Sequence, residues 1–171
     1  MAKLIKNGAL IEDAWQVRTL ADGENPDTAT IDAGRWIVPL SVWRAQPGLQ
    51  QREDLAVWLD GQDDPADLAP FLAQLPLVAV RFPKFADGRG YSIATLLRSR
   101  YGHVGELRAI GEVLRDQFDY LTRCGFDALQ PAEGRYTDAQ LQATVESLSV
   151  FSEPYQASAA IAAPLFRRRA A

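Results

Sequence analysis

The chain has 171 residues, of which 47% are hydrophobic and 23% charged, with a formal net charge of −4. This is the composition of one globular domain with a real core, and it argues against disorder or a generally basic nucleic-acid binder. One cysteine, Cys124, and one histidine, His103, exclude an internal disulfide, a CxxC redox pair, an iron–sulfur ligand set and a structural zinc site.

Taken in chain order, Lys3-Leu4-Ile5-Lys6 and Ala9-Leu10-Ile11 flank Asn7-Gly8, the dipeptide a type I′ turn favours, and predict an N-terminal β-hairpin within residues 1–20. No apolar h-region precedes it and no run of 18 apolar residues follows. The expectation is therefore a cytoplasmic protein with neither signal peptide nor membrane span. A polar stretch from Ala21 to Thr28 reads as a loop. Short apolar runs then alternate with amphipathic stretches: Trp36–Leu40, Leu55–Leu59, Leu77–Val80, Leu107–Ile110 and Phe126–Leu129. That alternation predicts an α/β domain of βαβ units, and runs apolar on both faces predict a mainly parallel sheet. The pattern leaves open a doubly wound open sheet or a partial barrel.

Between the runs lie expected helices. One opens at Pro65 with Asp63 or Asp64 as cap, and a second is capped by Ser92 and runs to Gly102. A third spans Val113 to Arg123 and closes at Gly125, and a fourth starts at Thr137-Asp138. Residues 151–171 read as a C-terminal appendage ending in Arg167-Arg168-Arg169, and the whole chain as a single domain.

Ligands of parallel α/β folds collect at the C-terminal ends of strands, where helix N-termini converge. The loop after the third run, Arg81 to Ser92, is the richest of these. Residues 81–108 hold six basic and two acidic side chains, a local +4 in a chain of −4. Arg81, Lys84, Arg89, Tyr91, Ser92 and Arg108 are accordingly candidate ligand-binding residues for a small anion, with Gly88 and Gly90 allowing close backbone approach. Asp87, Glu112 and Asp116 are the candidate acid–base residues, Glu112 and Asp116 standing four apart near a helix start. The competing account has Asp87 and the arginines in ordinary ion pairs, and the two later carboxylates favoured only by a helix dipole. His103 falls at the opposite end of the sheet, and Cys124 at a helix C-terminus in a packing role. Trp36, Trp43 and Trp58 read as core or edge aromatics. No Walker loop, complete GxGxxG or GxSxG motif is present, so no metal or cofactor is expected.

Phe85-Ala86-Asp87-Gly88-Arg89-Gly90-Tyr91-Ser92, Gly105-Glu106-Leu107-Arg108-Ala109, Val113-Leu114-Arg115-Asp116-Gln117, Arg123-Cys124-Gly125-Phe126-Asp127 and Phe151-Ser152-Glu153-Pro154-Tyr155-Gln156 form an ordered set of motifs. In this the chain, from about residue 30 onward, resembles a bacterial domain-of-unknown-function family whose members are described as oxidoreductases of sulfite reduction and are encoded beside assimilatory sulfite reductase. The resemblance implies a pathway more than a reaction, and carries over no catalytic residue. Combined with a single cysteine and no dinucleotide fingerprint, it implies an accessory protein of sulfite reduction. Such a protein would act with sulfite reductase as partner, or handle a small sulfur oxyanion through the basic loop. The alternative is a stand-alone enzyme on a phosphorylated or carboxylated metabolite.

Overall fold

The computed structural model describes residues 2–84, 86–148 and 158–159. The hairpin forms as expected. Strands β1 (Ala2–Lys6) and β2 (Ala9–Asp13) pair antiparallel. Asn7 and Gly8 take φ of 49° and 74°, the two positive values a type I′ turn requires. A two-residue strand β3 (Gln16–Val17) follows, then β4 (Trp36–Pro39), helix α1 (Leu40–Ala45), β5 (Leu55–Leu59) and β6 (Leu77–Phe82). Helix α2 (Arg89–Ser99), β7 (Glu106–Gly111), α3 (Phe118–Arg123), β8 (Ala128–Pro131) and α4 (Asp138–Leu148) complete the described elements.

All eight strands join one sheet in the order β2-β1-β8-β7-β6-β5-β4-β3. From β3 to β8 neighbours are consecutive in the chain and parallel; β1 joins β8 antiparallel through Ile5 and Lys6. The order never reverses, so successive crossovers of one hand lie on one face. That settles the alternative left open by the sequence: the sheet curls into a half-barrel.

Side-chain alternation divides the strands between two clusters. Val57, Leu59, Val78, Val80, Phe82, Leu107, Ala109 and Leu129 pack with Trp43 of α1, Ile93 and Leu97 of α2, Phe118 and Leu121 of α3, and Leu141 of α4. Each fully buried Val or Leu here contributes about 1.5–3 kcal/mol over its exposed state. The opposite face carries the cluster Ile37, Ala56, Trp58, Leu77, Ala79 and Ile110, with Trp15 and Val17 against them, and among the described residues this cluster includes none from a helix. This face is the inner side of the half-barrel.

Several helix starts differ from expectation. Helix α2 begins at Arg89, three residues before Ser92, because the Asp87 carboxylate accepts the Arg89 amide at 3.2 Å and sets the turn. Ser92 lies exposed within the helix. Gly90 serves packing rather than a ligand: a Cβ there would stand 2.6 Å from the Phe82 ring and 3.1 Å from Val80. Val113 and Leu114 stay outside the third helix. A 3-10 turn at Arg115–Gln117 precedes α3, with the Leu114 amide donating to Gln117 Oε1 at 3.0 Å. Gly125, with φ of 107°, ends it as expected. Asp64 caps a 3-10 helix, Pro65–Phe71, in which Pro70 bars an α-helical ladder. Thr137 and Gln140 cap α4 reciprocally: the Gln140 amide donates to Thr137 Oγ1, and the Thr137 amide to Gln140 Oε1. Strand β8 starts two residues later than expected. Phe126 turns into the core as its amide reaches back to the Leu121 carbonyl. The expected appendage from Phe151 onward, with its arginines, lies outside the described residues except for Ser158 and Ala159, as does Phe85 of the basic loop.

Candidate functional site

A cleft of about 1080 Å³ opens on this face toward the C-terminal ends of β6, β7 and β8, with Asp138 and Leu141 of α4 in its wall; its lining also includes Arg81, Ile110, Gln130, Glu112, Trp15 and Tyr136. The strand register explains the floor. Arg81 pairs with Ile110 across β6 and β7, and Ile110 with Gln130 across β7 and β8. In parallel strands paired residues point to the same face. Arg81, Ile110 and Gln130 therefore form one row, with the buried Ile110 between two polar side chains.

Arg81 is the one expected ligand residue that the cleft floor holds. Its guanidinium lies over the Trp58 ring, 5.2 Å from the centroid, and Trp58 is fixed by donating its indole N–H to the Arg18 carbonyl at 2.8 Å. Among the described residues no carboxylate pairs with Arg81. A cation on a ring face keeps its in-plane N–H donors for something else.

One step nearer the strands' N-terminal ends on the same face lies Arg108, fully buried. Its Nε donates to Glu106 Oε1 at 2.8 Å, its Nη1 to Gln130 Oε1 at 2.9 Å, and its Nη2 to Asp13. Lys6 reaches the second Glu106 oxygen at 2.6 Å. Two cations and two carboxylates thus neutralise one another where an unpaired charge would be costly. Burial would raise the Asp13 carboxyl, but the Arg108 hydrogen bond and charge override it and hold it below its ordinary value. Arg108 has no surface left to meet a ligand.

The remaining candidates disperse. Glu112 lines the cleft at the end of β7 and faces Arg135 at 3.5 Å. Asp116 sits exposed in the 3-10 turn, so the two carboxylates do not share a helix. Asp87 and Arg89 close on each other, Nε to Oδ1 at 2.9 Å and Nη2 to Oδ2 at 2.6 Å; the Arg89 bonds hold the Asp87 carboxyl down at about 2. The Arg89 side chain lies against Gly61, where a Cβ would approach its Nε to 2.8 Å. Lys84 is exposed outside the cleft. Tyr91 packs at a tilt between the rings of Phe82 and Tyr120, 5.3 and 5.0 Å between centroids, on the helix-covered side. The basic charge of residues 81–108 is therefore not one patch. Arg98 ties the opposite end of the sheet, bonding the carbonyls of His103, Gly105 and Gly125 and the Asp127 carboxylate. Among the described residues no group of three or more His, Cys, Asp or Glu side chains is placed to hold a metal ion. Cys124 is buried, and burial pushes its thiol up.

Sequence reasoning passed over Gln130, Trp15 and Tyr136. For Gln130 a signal existed: Ala128-Leu129-Gln130-Pro131 puts an amide on a strand whose neighbour across the sheet is a fully apolar position.

A family model described as a bacterial protein of unknown function (DUF934) matches residues 56–166. No curated protein matches the chain.

Proposed function

The chain belongs to that bacterial family, and from this premise we propose that it is an accessory protein of assimilatory sulfite reduction whose cleft binds a small anion. The pathway comes from the resemblance of its ordered motifs; the binding role rests on Arg81. An arginine that no carboxylate among the described residues pairs, braced on Trp58 at the floor of a cleft beside strand C-termini, is a donor set suited to an anionic acceptor. The site differs from the basic loop favoured by the sequence, since Lys84 and Arg89 face elsewhere. Sulfite reductase remains the proposed macromolecular partner, with the loop at Lys84 as the surface offered to it.

The test is a thermal-shift series with sulfite, sulfate and phosphate at fixed ionic strength, alongside binding to purified sulfite reductase. An anion at a hundred times its dissociation constant adds about 2.7 kcal/mol of stability. The expected result is a selective upward shift that Arg81→Ala abolishes. Absence of both a shift and reductase binding would remove the proposal.

Glu112 supports a second reading, an enzyme acting on a phosphorylated or carboxylated metabolite. It is a half-buried carboxylate at the end of β7 in the same cleft as Arg81, where it could exchange a proton with a bound substrate. Glu112→Gln would then stop turnover while leaving the ligand-induced shift in place.

A further inference from the structure

The charges that line the cleft are of both signs. Two cations, Lys3 and Arg81, stand with four carboxylates, Asp13, Asp138, Glu112 and Glu133. Asp13 is satisfied by the buried Arg108, and Asp138 by Lys3. Three charges are left to the cleft. Arg81 pairs with no carboxylate among the described residues, and Glu133, which is exposed, with no cation among them. Glu112 faces Arg135 at 3.5 Å, beyond the ordinary N–H···O length of about 2.7–3.2 Å.

The sheet holds the two signs apart. Trp58 of β5 donates its indole N–H to the Arg18 carbonyl, and the Arg18 amide donates to the Ile37 carbonyl of β4. The Trp58 ring therefore leans toward β4 and β3, and the Arg81 guanidinium lies over it, away from β7. The carboxylates follow the other strands. The Glu112 amide donates to the Phe82 carbonyl and the Ala132 amide to the Gly111 carbonyl, each at 2.8 Å. Glu112 and Glu133 thus continue the chain past the C-terminal ends of β7 and β8. Two to three strand spacings, about 9–15 Å, separate β5 from these strands. Between the two ends the floor is Ile110, buried, and Gln130, whose amide oxygen is taken by Arg108. Trp15 and Tyr136 add ring surface to the lining, Tyr136 held by the Arg115 amide that its hydroxyl accepts.

A ligand that answers both ends carries an acid group and an amine on one elongated body. A compact anion leaves Glu112 and Glu133 unanswered, and a simple cation leaves Arg81 so. At about 1080 Å³ the cleft admits the whole of an organic ligand, for which sites of roughly 300–1,000 Å³ suffice. We propose that the cleft takes an elongated organic zwitterion of the ω-amino acid type. Its acid group meets the N–H donors of Arg81, its primary ammonium meets Glu112 and Glu133, and its body crosses Ile110. This deepens the anion-binding reading of the cleft and rests on it.

The test is calorimetric titration of the full chain at fixed ionic strength with glycine, 4-aminobutanoate and 8-aminooctanoate. Octanoate and octylamine serve as the two half-ligands, and inorganic sulfate reads the anion site alone. The proteins are the wild type, Arg81→Met, Glu112→Gln/Glu133→Gln and, as a control at the far end of α2, Arg100→Ala. Both glutamates are partly or fully exposed, so the double variant should melt as the wild type does. The expected result is that 8-aminooctanoate binds at least about tenfold tighter than glycine or either half-ligand, the value of one hydrogen bond to a charged group. Arg81→Met should weaken 8-aminooctanoate, octanoate and sulfate about ten- to a hundredfold and spare octylamine. The double glutamine variant should weaken 8-aminooctanoate and octylamine and spare octanoate and sulfate, a crossed pattern that a general loss of stability does not give. Arg81→Lys, which keeps the charge and loses the fork, should retain part of the octanoate affinity. Arg100→Ala should bind as wild type. If sulfate and octanoate bind through Arg81 but the amine adds nothing, the zwitterion is wrong and the anion cleft stands. Glycine binding as tightly as 8-aminooctanoate would overturn the separation of the two ends. If no probe binds the wild type, the zwitterion and the anion cleft both fall.

Discussion

His103, the chain's single histidine, is a case where one side chain reports on the whole fold. It is buried in the loop between α2 and β7, with Nε2 at 3.2 Å from the Glu106 carbonyl. Gly105 leaves room for the ring, since a Cβ there would come within 2.9 Å of Cε1. Burial lowers the imidazole below its ordinary 6.5, and the Arg98 charge works the same way; the Glu106 carbonyl and Asp127 oppose them without reversing the direction. The folded protein therefore binds fewer protons than the unfolded chain below that value. The stability contributed is complete above about pH 6.5 and is lost as pH falls from there toward the lowered native value, by at most about 1.4 kcal/mol per pH unit. Urea midpoints at pH 7.5 and 5.5 should show the wild type losing stability over this interval. His103→Gln should lose markedly less. Equal losses in the two proteins would show that His103 is not the group responsible.

Among the elements, the hairpin is joined to the parallel sheet by a short stretch of backbone pairing. Only Ile5 and Lys6 pair with β8. The junction is reinforced by side chains: Lys6 of β1 reaches Glu106 of β7 across β8, and Asp13 of β2 reaches Arg108 of β7 across β1 and β8. Removing one charge leaves Arg108 buried with a single carboxylate that Lys6 also claims. Asp13→Asn is expected to cost about 2–3 kcal/mol in equilibrium unfolding. A loss below about 0.5 kcal/mol would mean that Glu106 alone satisfies Arg108. Little of this junction was legible in the sequence. Asn7-Gly8 announced the hairpin because its turn chemistry is local, and Leu55–Leu59 announced β5 because every position is apolar. Arg108 is different. Inside Leu107-Arg108-Ala109-Ile110 it looks like a surface or ligand residue, and only knowledge that β2 returns beneath it identifies it as buried. The same holds for helix starts. Ser92 is a competent cap, yet the helix starts at Arg89 on the turn set by Asp87, and Gly90 inside it meets Phe82, a contact eight residues away in sequence but fixed by the sheet.

At the scale of the molecule, the strand runs made an α/β sheet legible while its winding was not, because apolar runs look alike whichever neighbour they pair with. What decides the half-barrel is that the crossovers from β4 to β8 are apolar toward the same cluster, through Trp43, Leu68, Ile93 and Phe118, and that α4 after the last strand adds Leu141 to it. The candidate site was half legible for the same reason: Arg81 is conspicuous beside an apolar strand, whereas Gln130 joins its row only once β8 lies two places away from β6. This architecture makes a prediction about cooperativity. Strands β5, β6 and β7 are buried on both faces and paired on both edges, while β3 has two residues at the margin of the sheet and β2 forms the other margin. Native-state amide exchange should therefore be slowest for Val57, Val78, Val80, Leu107 and Ala109, and fastest among strands for β3. The β1–β2 hairpin should open at an intermediate free energy, below the global value, because its hold on the core runs through one short antiparallel pairing and the Arg108 network. Asp13→Asn should lower that intermediate level selectively and leave the slowest amides tracking global unfolding. If hairpin and core amides exchange with the same free energy in the wild type, the hairpin is part of one cooperative unit rather than an element docked on it.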